Sequence, residues 1–283
     1  MSILNESIDE KSAEQQHLED LERLKQFCPL HDTFARSLFR NNLPLAQFVL
    51  RIITNIDDLV LTKEETQYDL KHLTGARSVC LDVYGTDSAG RTYNIEIERS
   101  DEGAAPERAE YHMAAMNTEH MSRNDEFVSL PETYVIFVTE ADQIGDGKPV
   151  HRYSYRDDET NTTLGGKTHI LYVNGAYNDD STDIGKLMHD FRCTNADDMY
   201  FNEMADRTRY LKEDPKGVSE MCAIMEELKK ESEQRGEQRG EHKRAIMDAQ
   251  NMIEKGLGSF EDIAEVTGLS IETVRELAGK KTA

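Results

Sequence analysis

The sequence predicts an α/β fold: a mixed, hairpin-containing sheet flanked by helices and followed by a helical C-terminal extension. Three observations carry this. Apolar residues recur at helical spacing from Phe34 to Ile52, a β-hairpin pattern is centred on Asp87-Ser88-Ala89-Gly90, and helical segments then alternate with short apolar strands.

In chain order, residues 1–26 are acidic and Gln-rich with few apolar anchors, an N-terminal arm that is a frayed helix or disordered. From Asp32, Phe34, Leu38 and Phe39 and then Leu45, Phe48, Val49 and Ile52 define two helices with a turn around Pro44. Residues 78–98 are rich in β-branched and aromatic types on both sides of a turn in which Gly90 suits a positive φ. A helix is expected over 106–121, a buried strand over 133–142 and a short strand ending at Gly175. Helical segments follow from Ile184, with a break near Pro215 that closes a main domain of residues 27–215.

Residues 216–258 read as a charged helical linker, partly ordered, in which the repeat at Glu233–Glu241 places Arg235 and Arg239 on one face beside Glu237 and Glu241. Two glycines there, each costing about 1 kcal/mol, weaken the helix. Residues 259–283 carry two short amphipathic stretches joined at Gly268, a helix-turn-helix-like pair.

Composition narrows function. The 283 residues carry 33 Lys plus Arg against 55 Asp plus Glu, a net charge of −22, which disfavours a general nucleic-acid coating protein. It leaves room for a site that meets a polyanion through carboxylate-held divalent cations. Cys28, Cys80, Cys193 and Cys222 show no paired spacing, so they are expected to be buried apolar thiols and not zinc ligands or disulfides. With no signal-like N-terminus and no apolar run of spanning length, a cytoplasmic protein without membrane contact is expected.

The hairpin carries the chemistry. Asp82 lies in its first arm; Glu96 and Glu98 lie in the second, two apart and on one strand face. A turn at residues 87–90 makes paired positions sum to about 177, so Asp82 falls within one position of Glu96. Three converging carboxylates repel one another unless a cation binds, and Mg²⁺ or Mn²⁺ is the natural occupant. Such an ion activates water for phosphodiester hydrolysis, with Asp82 and Glu96 as ligands and Glu98 orienting or deprotonating the water. Spacing alone leaves open a hairpin face on which the acids are merely solvated.

The segments HDTFARSLFRNN, LDVYGTDSAGRTYNIEIE, ERAEYHMAAM and TYVIFVTEAD, in that order, resemble the PD-(D/E)XK nuclease family transposases, the Rpn-like recombination-promoting group. The resemblance covers about residues 30–215, and the EQRG tail is also similar. It implies a restriction-endonuclease-like fold in which Asp82 matches the motif's Asp, Glu96 its (D/E), and Glu98 the position of the motif's Lys. This last is a reversal of charge, which favours stronger metal dependence and leaves a catalytically weak or inactive copy as an alternative. Asp32 resembles an acidic residue that some members bring to the metal; an N-cap role, with the helix beginning at Thr33, is equally open. Arg108 and Tyr111 resemble a motif that contacts the phosphate backbone, although Arg108 between Glu107 and Glu110 also fits an intrahelical ion pair. His112 and His120 are expected on the surface or in packing.

The terminal pair resembles bacterial regulators in Ala264, Gly268 and Val274. Its second helix displays Glu272 and Glu276, so assembly of the chain into a homo-oligomer is favoured there over DNA contact. The resulting expectation is a Mg²⁺-dependent DNA endonuclease linked to recombination, mobile elements or defence. The alternative is a nuclease-fold protein that binds DNA, or assembles with itself, without turnover.

Overall fold

A computed structural model describes residues 18–70, 79–99 and 103–279. Of the N-terminal arm only residues 18–26 are therefore visible, and they are helical. The chain divides into two compact units, residues 1–224 and 225–283.

The first unit opens with α1 (Asp32–Phe39) and α2 (Leu43–Thr54). Helix α1 begins one residue earlier than expected: His31 is its N-cap, and Asp32 is the first helical residue, not the cap. Phe34, Leu38 and Phe39 are its core anchors. The Asn42 side chain accepts from Leu45 N at 3.4 Å to start α2, and Pro44 sits in the first turn, where its missing N–H costs nothing.

Six strands follow: β1 (Leu61–Leu70), β2 (Val79–Asp87), β3 (Thr92–Glu98), β4 (Thr133–Thr139), β5 (Val150–Tyr153) and β6 (Thr168–Asn174), with α3 (Pro106–Glu119) between β3 and β4. Their spatial order is β1-β2-β3-β4-β6-β5. Pairs β1/β2, β2/β3 and β5/β6 are antiparallel, whereas β3/β4 and β4/β6 are parallel. The sheet is therefore mixed, as expected. Strands β1 and β5, at its two edges, carry mostly polar residues and have no clear sequence signature.

Alternation along the central strands sends residues to two cores. Val83, Tyr93, Ile95, Ile97, Ile136 and Val138 pack with α1, α2 and α4 (Asp183–Arg192), α5 (Asn202–Glu213) and the start of α6 (Pro215–Lys255). On the opposite face Tyr84, Val135, Phe137 and Tyr172 meet Ala109, Met113 and Met116 of α3. The buried acid Glu96 belongs to the face that α3 covers, which is how a helix arriving ten residues later reaches it.

The hairpin turn is organised by Asp87. Its Oδ1 accepts from Ala89 N and Arg91 N at 2.9 Å each, and its Oδ2 from Arg91 Nε at 2.6 Å and Tyr93 Oη at 2.9 Å. Gly90 takes φ 79°, the left-handed conformation that the turn requires.

In the second unit α6 continues without a break through Gly236 and Gly240 to Lys255. Helices α7 (Phe260–Thr267) and α8 (Ile271–Gly279) follow, separated at Gly268, and Ile263, Ala264 and Val274 close a small core with Ala249 of α6. A capping box fixes the start of α7: Asp262 N donates to Ser259 Oγ at 3.1 Å, while Ser259 N donates to Asp262 Oδ2 at 2.7 Å. Cys28 is buried as expected, but Cys193 and Cys222 are only half-buried. No described helix is long and apolar enough to cross a membrane.

Candidate active site

Strands β2 and β3 pair Val83 with Ile95 and Tyr84 with Asn94, so paired positions sum to 178 and Asp82 stands directly across from Glu96. The sequence estimate was one residue short, because the loop carries the extra residue that the Asp87 side chain holds between its two amide bonds. The backbone confirms the juxtaposition: Asp82 N donates to Glu96 Oε1 at 3.3 Å, and Ile97 N donates to Asp82 Oδ2 at 3.1 Å. Each strand thus supplies an amide to the acid of the other.

Glu96 has no exposure and Glu98 little, and both meet Arg108 from α3. Arg108 Nη2 donates to Glu96 Oε2 at 2.9 Å, and Nη1 donates to Glu98 Oε2 and to Gly103 O at 2.8 Å each. The guanidinium lies 5.6 Å from the ring centre of Phe137, which gives its flat face a partner. Arg108 is therefore anchored on the two acids of β3 and not paired along its own helix with Glu107 or Glu110. Gly103 is a close approach: a Cβ there would fall 1.8 Å from the Glu98 carboxylate carbon.

Three further side chains, none of them expected at the site, lie beside the two acids. Asn94 Nδ2 lies 3.0 Å from Glu96 Oε1 and 3.3 Å from His112 Nδ1. His112, one turn beyond Arg108, is 95 % buried and packs near the Phe137 ring, the second of its two expected places, with Nδ1 3.5 Å from Glu96 Oε1. Gln67 Nε2 donates to Asp82 Oδ1 at 3.3 Å. The available signal for Asn94 was its strand parity with Glu96, and for His112 its four-residue spacing from Arg108. Gln67 could not be found without the β1 register. His120 does pack, with Nε2 3.1 Å from Tyr84 Oη. Tyr111 is half-buried against the α3 core.

Electrostatically Asp82 is the uncomfortable group. Burial pushes its carboxyl well above the usual range, the negative charges of Glu96 and then Asp32 push it further, and the Ile97 amide and Arg108 relieve it only in part. Asp32, at the exposed head of α1, is thus close enough to act on Asp82 by charge. An acid on β1, Glu64, is also raised, to about 7, mainly by burial and against a hydrogen bond from the Asn42 backbone.

Among the described residues no three Asp, Glu, His or Cys side chains form a group that could hold one ion. Mg²⁺ needs no such cage, since it is commonly held by one or two carboxylates with water and phosphate filling the remaining positions. The Asp82–Glu96 pair meets that requirement with hard oxygen donors, and a cation there would offset the burial and the neighbouring charges that disfavour ionisation of Asp82. Beside it, Asn94 Oδ1 is a buried oxygen without a hydrogen-bond donor. The pair therefore fits a hydrated hard cation.

A mixed sheet flanked by helices, with an acid-bearing central hairpin and a helix laid across it, is the PD-(D/E)XK nuclease fold. The chain belongs to the PD-(D/E)XK nuclease family transposases, whose family model matches residues 40–256. That span holds Asp82, Glu96, Glu98, Arg108 and Tyr111, while Asp32 lies outside it. No curated protein and no solved structure matches the chain. Membership carries a nuclease-like or transposase-associated function.

Proposed function

We propose that this chain is a Mg²⁺- or Mn²⁺-dependent DNA endonuclease that hydrolyses phosphodiester bonds, serving recombination, mobile elements or defence. The observation that supports it best is the cross-strand opposition of Asp82 and Glu96, two acids crowded together where burial and mutual charge disfavour ionisation of Asp82. A divalent ion bound there would lower the pKa of a water and neutralise charge on the phosphodiester. Asp82 and Glu96 hold that ion, and Asp32 adds negative charge from α1. Glu98, two residues beyond Glu96 on the same face, takes up the proton of the attacking water or orients it.

The motif's Lys would supply positive charge to the developing phosphorane, which Glu98 cannot. Arg108 already sits within hydrogen-bond reach of Glu96 and Glu98, so it brings a permanent cation to the same place from α3. Tyr111, one residue short of His112 on that helix, serves the phosphate backbone with it.

One observation favours a second reading. Arg108 is engaged by both acids of β3, an arrangement that would also suit a DNA-binding or self-associating nuclease fold without turnover, its acids neutralised from within. The exposed acids Glu272 and Glu276 of α8 favour self-association over DNA contact for the C-terminal helices.

Supercoiled plasmid incubated with the full chain in Mg²⁺ or Mn²⁺ decides between them. Nicking by the wild type that is lost in Asp82→Ala, in Glu96→Ala and in EDTA is the expected result. No cleavage by folded wild type, with DNA binding or oligomerisation retained, would establish the second reading.

A further inference from the structure

Among the described residues four non-glycine positions have positive φ: Asn41, Asn55, Gln67 and Asn161. Three are asparagines, which tolerate the left-handed region, and they lie beside α2, at its C-cap and in the loop after β5. Gln67 is neither an asparagine nor in a loop. It sits inside β1 with φ 57°, flanked by Thr66 paired to Val83 and Tyr68 paired to Leu81.

That register puts Gln67 across from Asp82, and its Nε2 donates to Asp82 Oδ1 at 3.3 Å. The other oxygen, Oδ2, accepts from Ile97 N of β3 at 3.1 Å. The Asp82 carboxylate is therefore gripped from both neighbouring strands, one oxygen each, which fixes its plane. Both grips are neutral: a Lys or Arg at position 67 would cancel the charge that a cation has to meet, whereas an amide orients the carboxylate and leaves its charge in place. Backbone strain of this kind persists where the surroundings demand the conformation, and it concentrates at functional sites.

We propose that Gln67 is a positioning residue for Asp82, held in a strained backbone conformation so that its amide sets the carboxylate for a divalent cation. The inference rests on the metal-site reading given above.

The test uses the full chain as wild type, Gln67→Gly, Gln67→Asn and Asp82→Asn, with thermal melting in EDTA and Mn²⁺ titration by calorimetry. Gln67→Gly relieves the strain and removes the amide, so it should melt about 2–4 °C higher than wild type without metal, the scale of about 1 kcal/mol in a chain of this size. It should also bind Mn²⁺ about tenfold more weakly, in proportion to a carboxylate set loose from one of two hydrogen bonds. Gln67→Asn keeps an αL-tolerant amide one methylene shorter and should fall between. A variant that melts lower than wild type, or that binds Mn²⁺ as tightly, overturns the positioning role. Wild type that takes up no Mn²⁺, indistinguishable from Asp82→Asn, overturns the metal-site reading and this inference with it.

Discussion

Arg108 donates from Nη2 to Oε2 of Glu96 at 2.9 Å, and Glu96 has no exposure to solvent, so the acid in the middle of the sheet meets its arginine partner from one side chain of α3. Removing that partner strands the carboxylate. Breaking a buried pair from one side costs about 3–5 kcal/mol, and because Arg108 is 39 % exposed the loss for Arg108→Met should be nearer ~2 kcal/mol. Urea unfolding at pH 7.5 measures it. Adding Glu96→Gln to Arg108→Met should restore most of the stability, since no buried charge is then unpaired; if the double variant is as unstable as the single, Arg108 acts mainly by packing on Phe137.

Asp82 should make the metal-free protein less stable as pH rises. Its folded pKa lies above the unfolded value, so the penalty is absent below about pH 4 and grows as pH climbs through the folded value. Asp82→Asn should therefore melt above wild type at pH 8 in EDTA, with the two curves converging near pH 4. Excess Mg²⁺ should raise the wild-type melting temperature and leave that of the variant unchanged.

Glu64 gives a second pH signature, away from the acids of the hairpin. Raised from 4.5 to about 7, it contributes stability below its unfolded value that is lost as pH rises through 7. Glu64→Gln should flatten the fall in melting temperature between about pH 4.5 and 8 and gain a few degrees at pH 8, with the partial solvent exposure of the side chain keeping the effect modest. An unchanged pH profile would assign the wild-type slope to other groups.

Gly103→Ala should disturb catalysis more than folding. The added methyl would occupy the place of the Glu98 carboxylate, which must swing away from Arg108 Nη1. Loss of this partly exposed ion pair costs about 1 kcal/mol, visible as a small drop in melting temperature. Plasmid nicking should fall at least tenfold if Glu98 handles the attacking water. Undiminished nicking would remove Glu98 from that role.

The hairpin was legible because its turn chemistry and β-branched arms agree with each other, and the acids on it could be placed to within one residue. What moved them into direct opposition was the Asp87 carboxylate, whose bonds to Ala89 N and Arg91 N organise a loop that residue counting treats as a shorter turn. Strand β1, and Gln67 with it, is not legible in the sequence because LTKEETQYDL pairs on one side only and has no apolar alternation. Arg108 stands out in the sequence through its resemblance to a phosphate-contacting motif; its engagement with Glu96 and Glu98 depends on α3 crossing the sheet, a long-range fact. His112 reads as packing from helical spacing, and only the position of Asn94 on β3 turns it into a neighbour of Glu96.

Among the described residues, apart from Asp32 and Gln67, every polar side chain gathered around Asp82 and Glu96 is drawn from a single run of chain, residues 82–112. A centre of this kind is assembled from near neighbours in sequence, closing short loops before the distant edge strand β5 must find its place. The long excursion between β4 and β6 is correspondingly free to lengthen or shorten over evolutionary time, since no acid, amide or guanidinium of the centre is anchored in it.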